Sequence, residues 1–503
     1  MSKVYEKIID RFDGGITNNS RDKSENTARV ITYFDTFSEE GKLIPYKATQ
    51  AVTTIAATTQ ALAQLKNFLM YGGTLYGLGV KDGENKIKIY SNSDLTASTW
   101  VAVASAEDTS NGTHTQLFIE YKGTIWGDAG GTRLWSHVLS GSTFTSSAQA
   151  ITYTAITPGL VHSKDDILYF GYTNSTATYI ASKNGAAGWN ITALTLPTNL
   201  SVVSICEYGN YLAIGCKSTE TTKNSVVFLW DRDSSVTTLS ESIDWGDGQL
   251  QFIEQVDGFL IGLSAVGGSS FVLEDKIVFR YLNGNKAEKF KEIVGELGTL
   301  GNSIRPVRQI VNNRLYFLMK ITINGSVREG LWSLGRPNTS SPFSLVHERT
   351  PNNATALTSG VMHGFFLAND YAHISYTDNS VVSLSKTNGS ATGTSGAIYE
   401  SVKYDGGDPS ITKKLIGVTV NYEPTDGGTI TLKYRIEGET SYTTIFAHTA
   451  TLTTNSHSAI NIESTGVTLP EFKEIEFQLT VTGAVEIIGL SFKAEVTGKR
   501  LYE

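Results

Sequence analysis

Gly73-Thr74-Leu75-Tyr76-Gly77, Gly123-Thr124-Ile125-Trp126-Gly127, Asp166-Ile167-Leu168-Tyr169-Phe170 and Asn210-Tyr211-Leu212-Ala213-Ile214 are versions of one phrase, a turn residue followed by two or three large apolar residues. Three more copies follow at Gly258-Phe259-Leu260-Ile261-Gly262, Asn313-Arg314-Leu315-Tyr316-Phe317 and Gly364-Phe365-Phe366-Leu367. Their central residues, from Leu75 to Phe366, stand 50, 43, 44, 48, 55 and 51 residues apart. A tight turn running into a short apolar stretch reads as a hairpin entering a buried strand. A period of about 40–50 residues is that of a four-stranded propeller blade. One such sheet cannot cover its own apolar faces, so its neighbours must stack against it. The chain is therefore expected to be all-β. It divides into an N-terminal extended arm and first strands over 1–50, an approximately seven-bladed β-propeller over 51–395, and a C-terminal antiparallel β-sandwich over 396–503.

The sandwich follows from a change of pattern. A Gly/Ser/Thr stretch over 387–396 reads as a linker, after which 414–422, 429–436, 443–448, 474–481 and 485–496 alternate apolar and polar residues between turns. Composition agrees. Hydrophobic residues are 40% and charged residues 18% of 503, with 48 Gly, 23 Tyr and 21 Phe, which suits many short strands joined by tight turns. Helical signal is confined to 2–10 and 61–69, each long enough for a turn or two. The net charge of −8 lacks the basic footprint of a nucleic-acid or anionic-membrane binder. No apolar run approaches the ~20 residues of a membrane-spanning helix, so no membrane span is expected. Residues 1–11 do not read as a secretion signal, which points to synthesis in a cytoplasm. Around the turn at Gly209-Asn210, a two-residue hairpin would set Cys206 opposite Ala213 and Cys216 opposite Val203. The two cysteines are then not cross-strand neighbours, and they read as buried thiols rather than a disulfide.

Chemistry is sparse. The eight histidines are scattered, with no His-x-His, His-Glu-x-x-His or Cys/His cluster, so neither a metal site nor a cofactor is expected. No Gly-x-Ser-x-Gly elbow occurs. The glycine-rich 295–303 lacks the Gly-Lys-Ser/Thr end of a phosphate loop. Acidic turns at 231–233 and 405–408 are candidate calcium holders that read better as solvated turns. A glycosidase needs two carboxylates at a set separation, or a Tyr nucleophile with clustered arginines. The arginines here are few and unclustered, so the chain is expected not to be an enzyme.

Two segments resemble the Asp-box of sialidase-type propellers, a Ser-x-Asp-x-Gly-x-Thr-Trp turn. They are Ser182-Lys183-Asn184-Gly185-Ala186-Ala187-Gly188-Trp189 and, more loosely, 91–100 with Asp94 and Trp100. Asn184 replaces the Asp in the first, and both lack the central Gly. In that family the box is a fold-stabilising turn between outer strands, away from the catalytic face.

A broader resemblance is to tailed-bacteriophage virion proteins. The N-terminus reads Ile9-Asp10-Arg11-Phe12-Asp13-Gly14-Gly15-Ile16-Thr17-Asn18, followed by Thr32-Tyr33-Phe34-Asp35 and Leu43-Ile44-Pro45-Tyr46. This is similar to the Phe-x-Gly-Gly-Leu/Ile opening of phage tail propeller proteins. Residues 295–303 with Ile304-Arg305-Pro306-Val307 and Leu315-Tyr316-Phe317-Leu318 resemble a phrase of the same group. So do Lys413-Lys414-Leu415-Ile416 and Thr429-Ile430-Thr431-Leu432-Lys433-Tyr434-Arg435, as the module that follows the propeller. The resemblance implies a structural protein of the virion tail, a nozzle or tail-tip adaptor that assembles as a homo-oligomeric ring around the DNA exit path. Its partners would be copies of itself, other tail proteins and exiting DNA without sequence readout. Phe12, Gly14, Gly15 and Ile16 would form an arm that orders on a neighbouring subunit. The alternative is a propeller that binds a host surface glycan or receptor by stacking on Trp126, Trp189 or Trp245. A propeller glycoside hydrolase is the remote alternative.

Overall fold

The structure is a computed structural model. It describes residues 4–498 apart from 18, 20, 22–25, 53, 57–62, 82–86, 96–98, 104–115, 129–132, 141–142, 175–176, 220–223, 236–238, 240, 268–274, 298–303, 324–325, 352–356, 358–359, 369–370, 380, 389–393, 424, 426, 452–456 and 464–467. The latter part of the glycine-rich loop and half of the expected linker thus lie outside the described residues. Every regular element described is a strand. Within the two segments with helical signal the described residues form strands, Val4–Ile9 and Ala63–Tyr71, because pairing with a neighbouring strand outweighs a weak local propensity. Among the described residues, no helix is long and apolar enough to cross a membrane.

The chain forms two compact units: Gln50–Leu331 with Thr355–Thr387, and Met1–Thr49 with Trp332–Ala354 and Asn388–Glu503. The first of these, the repeat unit, is a succession of antiparallel meanders in which most strands pair with their neighbours in sequence. The sheet Leu200–Tyr208, Tyr211–Ser218, Ser225–Trp230 and Glu241–Gly246 is representative, and Gln249–Val256 opens the next. The repeated phrase marks the turn into the second strand in six sheets. The seventh copy is displaced. Phe365 and Phe366 lie on Val361–Ala368, the first strand of its sheet, and the second strand is Tyr371–Asp378. A glycine before apolar residues imitates the turn signal there. Gly364 is instead a point of close approach, where a Cβ would sit 2.6 Å from the Lys66 carbonyl oxygen of the first sheet.

Four of the first strands also share a β-bulge six residues before the hairpin turn. The register shifts between Leu65 and Asn67, Val202 and Ser204, Leu250 and Phe252, and Met362 and Gly364. A bulge adds one unpaired residue and tightens the twist. It also moves the cysteines: Cys206 faces Ala213 as expected, but Cys216 faces Val202, not Val203. Both thiols are free and buried.

Stacking of sheet on sheet shows at Gly171 and Gly215. A Cβ on Gly171 would stand 2.7 Å from the Val202 side chain, and one on Gly215 would stand 2.9 Å from Leu250, each belonging to the following sheet. Side chains of one sheet thus press on the backbone of the last, with Trp100, Trp230 and Trp245 completely buried between them. The last sheet receives its outer strand, Thr49–Ala51, from the chain that precedes the first, and Val52 N–H donates to the Leu384 carbonyl at 2.8 Å.

The other unit joins distant segments. Val4–Ile9 pairs with Glu486–Val496, which pairs with Lys413–Glu423 and then Ser458–Glu463. Its second sheet places Ala28–Thr32 beside Thr394–Ser401, then Ile475–Gly483, Thr429–Ile436 and Thr443–Thr449. Phe477 of one sheet meets Phe492 of the other, with ring centroids 5.0 Å apart. The five strands expected after residue 396 are all present. Residues 4–9 and 28–32 complete their sheets, so the separation of an N-terminal arm over 1–50 from a domain over 396–503 is corrected: the two are one unit.

Candidate functional site

First strands of successive sheets border a cavity of about 140 Å³ in the repeat unit, lined in part by Asn67, Leu160, Cys206, Glu254 and Arg308. The Arg308 Nε lies 2.6 Å from Glu254 Oε2, and its Nη2 donates to the Ile205 carbonyl at 2.7 Å. One nearly buried guanidinium therefore ties three first strands together, Leu200–Tyr208, Gln249–Val256 and Ile304–Val311. Two of these strands, Leu200–Tyr208 and Gln249–Val256, are also joined by Ser204, whose Oγ donates to the Ile253 carbonyl and accepts from the Ile253 N–H, both at 3.1 Å. Burial, with the Glu254 charge beside it, pushes the Cys206 thiol well up, so the sulfur stays protonated and is a poor nucleophile. Glu254 is the lone carboxylate among the described lining residues, and it is held by Arg308. A paired carboxylate and a protonated thiol suit a packing tie, not acid–base or nucleophilic catalysis. Neither Arg308 nor Glu254 stands out in the sequence; the available signal was Glu254 as the lone charge in Gln249–Val256.

The structure places the expected glycan-stacking residues elsewhere, and for two of them the expectation is corrected. Trp245 has no exposed surface and packs against Gly262. Trp126 is 6% exposed, meeting Trp189 edge-on at 5.0 Å. Trp189 is half-buried and also touches Phe170 at 5.2 Å. The Lys183 ammonium lies 5.2 Å from the Trp126 ring and 5.6 Å from the Trp189 ring, and it donates to the Ala187 carbonyl. The pair is thus already engaged by a cation from its own chain. Both Asp-box-like segments do lie between third and fourth strands, at Thr178–Lys183 to Trp189–Leu196 and at Ile87–Asn92 to Thr99–Ala102.

The expected assembly arm is corrected too. Phe12 is buried edge-on against Tyr399 at 5.2 Å, and Ile16 is 2% exposed. Gly14 N–H donates to Asn26, Ile16 N–H to Leu345, and the Gly15 carbonyl accepts from Ala28. Gly15 has φ +71°, and a Cβ there would press on the Leu345 backbone at 2.8 Å. These residues order against their own chain because their apolar side chains fill the interior of its unit. Among the described residues, no three His, Cys, Asp or Glu side chains gather as a metal site. The acidic turns cap their own backbones: Asp405 Oδ1 accepts from Gly407 N–H and Asp233 Oδ1 from Ser235 N–H, each at 2.8 Å.

No family model matches the chain, and no curated protein matches it. Several solved structures are loosely similar to it. The β-propeller domain of the Trilobed protease from Pyrococcus furiosus is 11% identical over 66% of this chain and 95% of that one, with a TM-score of 0.39. A Trypanosoma rangeli sialidase in complex with sialic acid is 8% identical, covering 99% and 96%, with a TM-score of 0.34. An exo-β-1,3-galactanase from Phanerochaete chrysosporium is 9% identical, covering 88% and 100%, with a TM-score of 0.31. Superpositions this loose assign neither activity nor ligand.

Proposed function

We propose that the repeat unit is a seven-bladed β-propeller, that the other unit is a β-sandwich completed by the N-terminal strands, and that the protein is a non-enzymatic structural component of a tailed-phage virion. Its place is a tail nozzle or tail-tip adaptor, formed as a ring of identical copies around the DNA exit path. The observation that carries a structural role is the commitment of charged groups to internal ties. Arg308 holds Glu254 and Ile205, Arg232 holds Asp165 at 2.6 Å, and Lys320 holds the buried Glu329 at 3.0 Å. A hydrolase would keep such groups facing its substrate. The outer strand lent by the chain ahead of the first sheet supports a closed propeller, since closure removes exposed edges. The viral assignment rests on the sequence resemblance.

Purified chain, examined by sedimentation velocity and electron microscopy, should form closed rings of a single subunit number and leave host surface polysaccharide uncut. A protein that stays monomeric at every concentration, or that releases sugars from that polysaccharide, would overturn the proposal. The second reading, recognition of a host glycan, is favoured by a cavity in the other unit.

A further inference from the structure

The unit built from the chain ends contains a cavity of about 490 Å³, within the range of small-molecule sites. Its walls include Tyr5 and Lys7 from Val4–Ile9, Arg21, and Lys403, Tyr404 and Asp405, with Glu474 also exposed to it. The chain as a whole carries −8, yet here three cations face two carboxylates. Behind the wall, Glu476 Oε2 is already taken by Arg29 at 2.6 Å and Arg435 at 2.8 Å.

Two ammonium groups are left with donors to spare. Lys403 Nζ lies 3.6 Å from Glu474 and 3.8 Å from Glu476, beyond hydrogen-bonding reach of either. Lys7 Nζ stands 6.0 Å from the centre of the Tyr404 ring and forms no ion pair among the described residues. The wall that carries them is fixed in advance. The buried Lys413 ammonium donates to the Asp408 and Ile411 carbonyls at 2.7 and 2.9 Å, pinning the 405–411 loop. Tyr404 and Ile475 exchange backbone hydrogen bonds at 2.9 and 3.0 Å.

We propose that this cavity binds an acidic saccharide, a sugar ring bearing a carboxylate. Lys7 and Lys403 take the carboxylate, Tyr5 and Tyr404 offer ring surface to the sugar, and its hydroxyls are accepted by Asp405 and by Oε2 of Glu474, whose Oε1 is held by Arg21 at 2.7 Å. The mixture of donors and acceptors selects this class. Acetate only accepts hydrogen bonds, so it gains nothing from the two carboxylates, and inorganic phosphate, which keeps a hydroxyl but concentrates more negative charge than a sugar acid, is repelled by them more strongly. A neutral sugar leaves the ammoniums unpaired. This site is separate from the tryptophans of the repeat unit and stands whether or not the protein forms a ring.

The test titrates the full chain with glucuronate, N-acetylneuraminate, glucose, acetate and inorganic phosphate at constant ionic strength, by calorimetry and by NMR of the tyrosine rings. At least one acidic sugar should bind at least about ten-fold more tightly than glucose, acetate or phosphate. Lys403→Gln and Lys7→Gln should each weaken it by about ten-fold while the melting temperature holds. Lys7→Gln decides the matter if Lys403→Gln fails to fold, since Lys7 supports no ion pair. Absence of binding by both acidic sugars, equal binding by acetate or phosphate, or unchanged affinity in Lys7→Gln would overturn the proposal.

Discussion

The two units reach the same secondary structure by opposite routes. In the repeat unit most strands pair with their neighbours in sequence, so a strand such as Tyr211–Ser218 finds Leu200–Tyr208 and Ser225–Trp230 on either side of it. In the other unit, Val4–Ile9 must find Glu486–Val496, and Ala28–Thr32 must find Thr394–Ser401. Local pairing leaves a turn signal at every hairpin. Pairing across hundreds of residues costs loop-closure entropy and leaves no mark at a fixed spacing. The lesson is that a free N-terminal arm and an unpaired first strand look alike in sequence until the partner strand is known.

The comparison breaks most readily at the N-terminus. Deleting residues 1–35 removes the buried Phe12, Ile16, Ile31 and Phe34 and should abolish the stability of that unit, about 5–15 kcal/mol for a domain. Hydrogen exchange should show Ile475–Gly483 losing protection while Tyr211–Ser218 keeps it; retained protection in both would reinstate the free arm.

A smaller effect sharpens the account of the repeat unit. Arg308→Met leaves Glu254 and the Ile205 carbonyl without their partner and should destabilise by about 3–5 kcal/mol in chemical denaturation. Adding Glu254→Gln should recover most of that loss. A single mutant as stable as the parent would mean that the guanidinium ties nothing.

The smallest expected effect is on pH. Burial lowers both His137 and His373, on different sheets of the repeat unit, to about 4. Their folded-state values lie below the ordinary 6.5, so the unfolded chain binds protons that the folded chain refuses. Stability attributable to each is complete above about pH 6.5 and falls as pH drops toward 4, by about 3 kcal/mol per histidine. Melting curves across that interval should show the decline, and His373→Gln should flatten it; a flat parent curve would contradict the burial of both rings.

Much was legible from sequence. The repeated phrase located six second strands, and alternation after residue 396 located five more. The seventh phrase misled because Gly364 serves a neighbour's backbone rather than a turn. Charges told less: Arg308 and Lys403 look alike as cations in β-rich sequence, yet one is saturated by Glu254 and Ile205 while the other has donors to spare. The chemical type of a residue does not encode its partner.

By itself the sequence determined that the chain is stranded, where six of the hairpins turn, and that its cysteines stand apart, because each of these depends on residues within a few positions of one another. Tertiary structure alone decided that the chain ends share one unit, that Trp126 and Trp245 are interior, and that Lys7 and Lys403 flank one cavity. Those outcomes depend on which distant surfaces exclude water together, and burial of that kind follows contact in space rather than order along the chain.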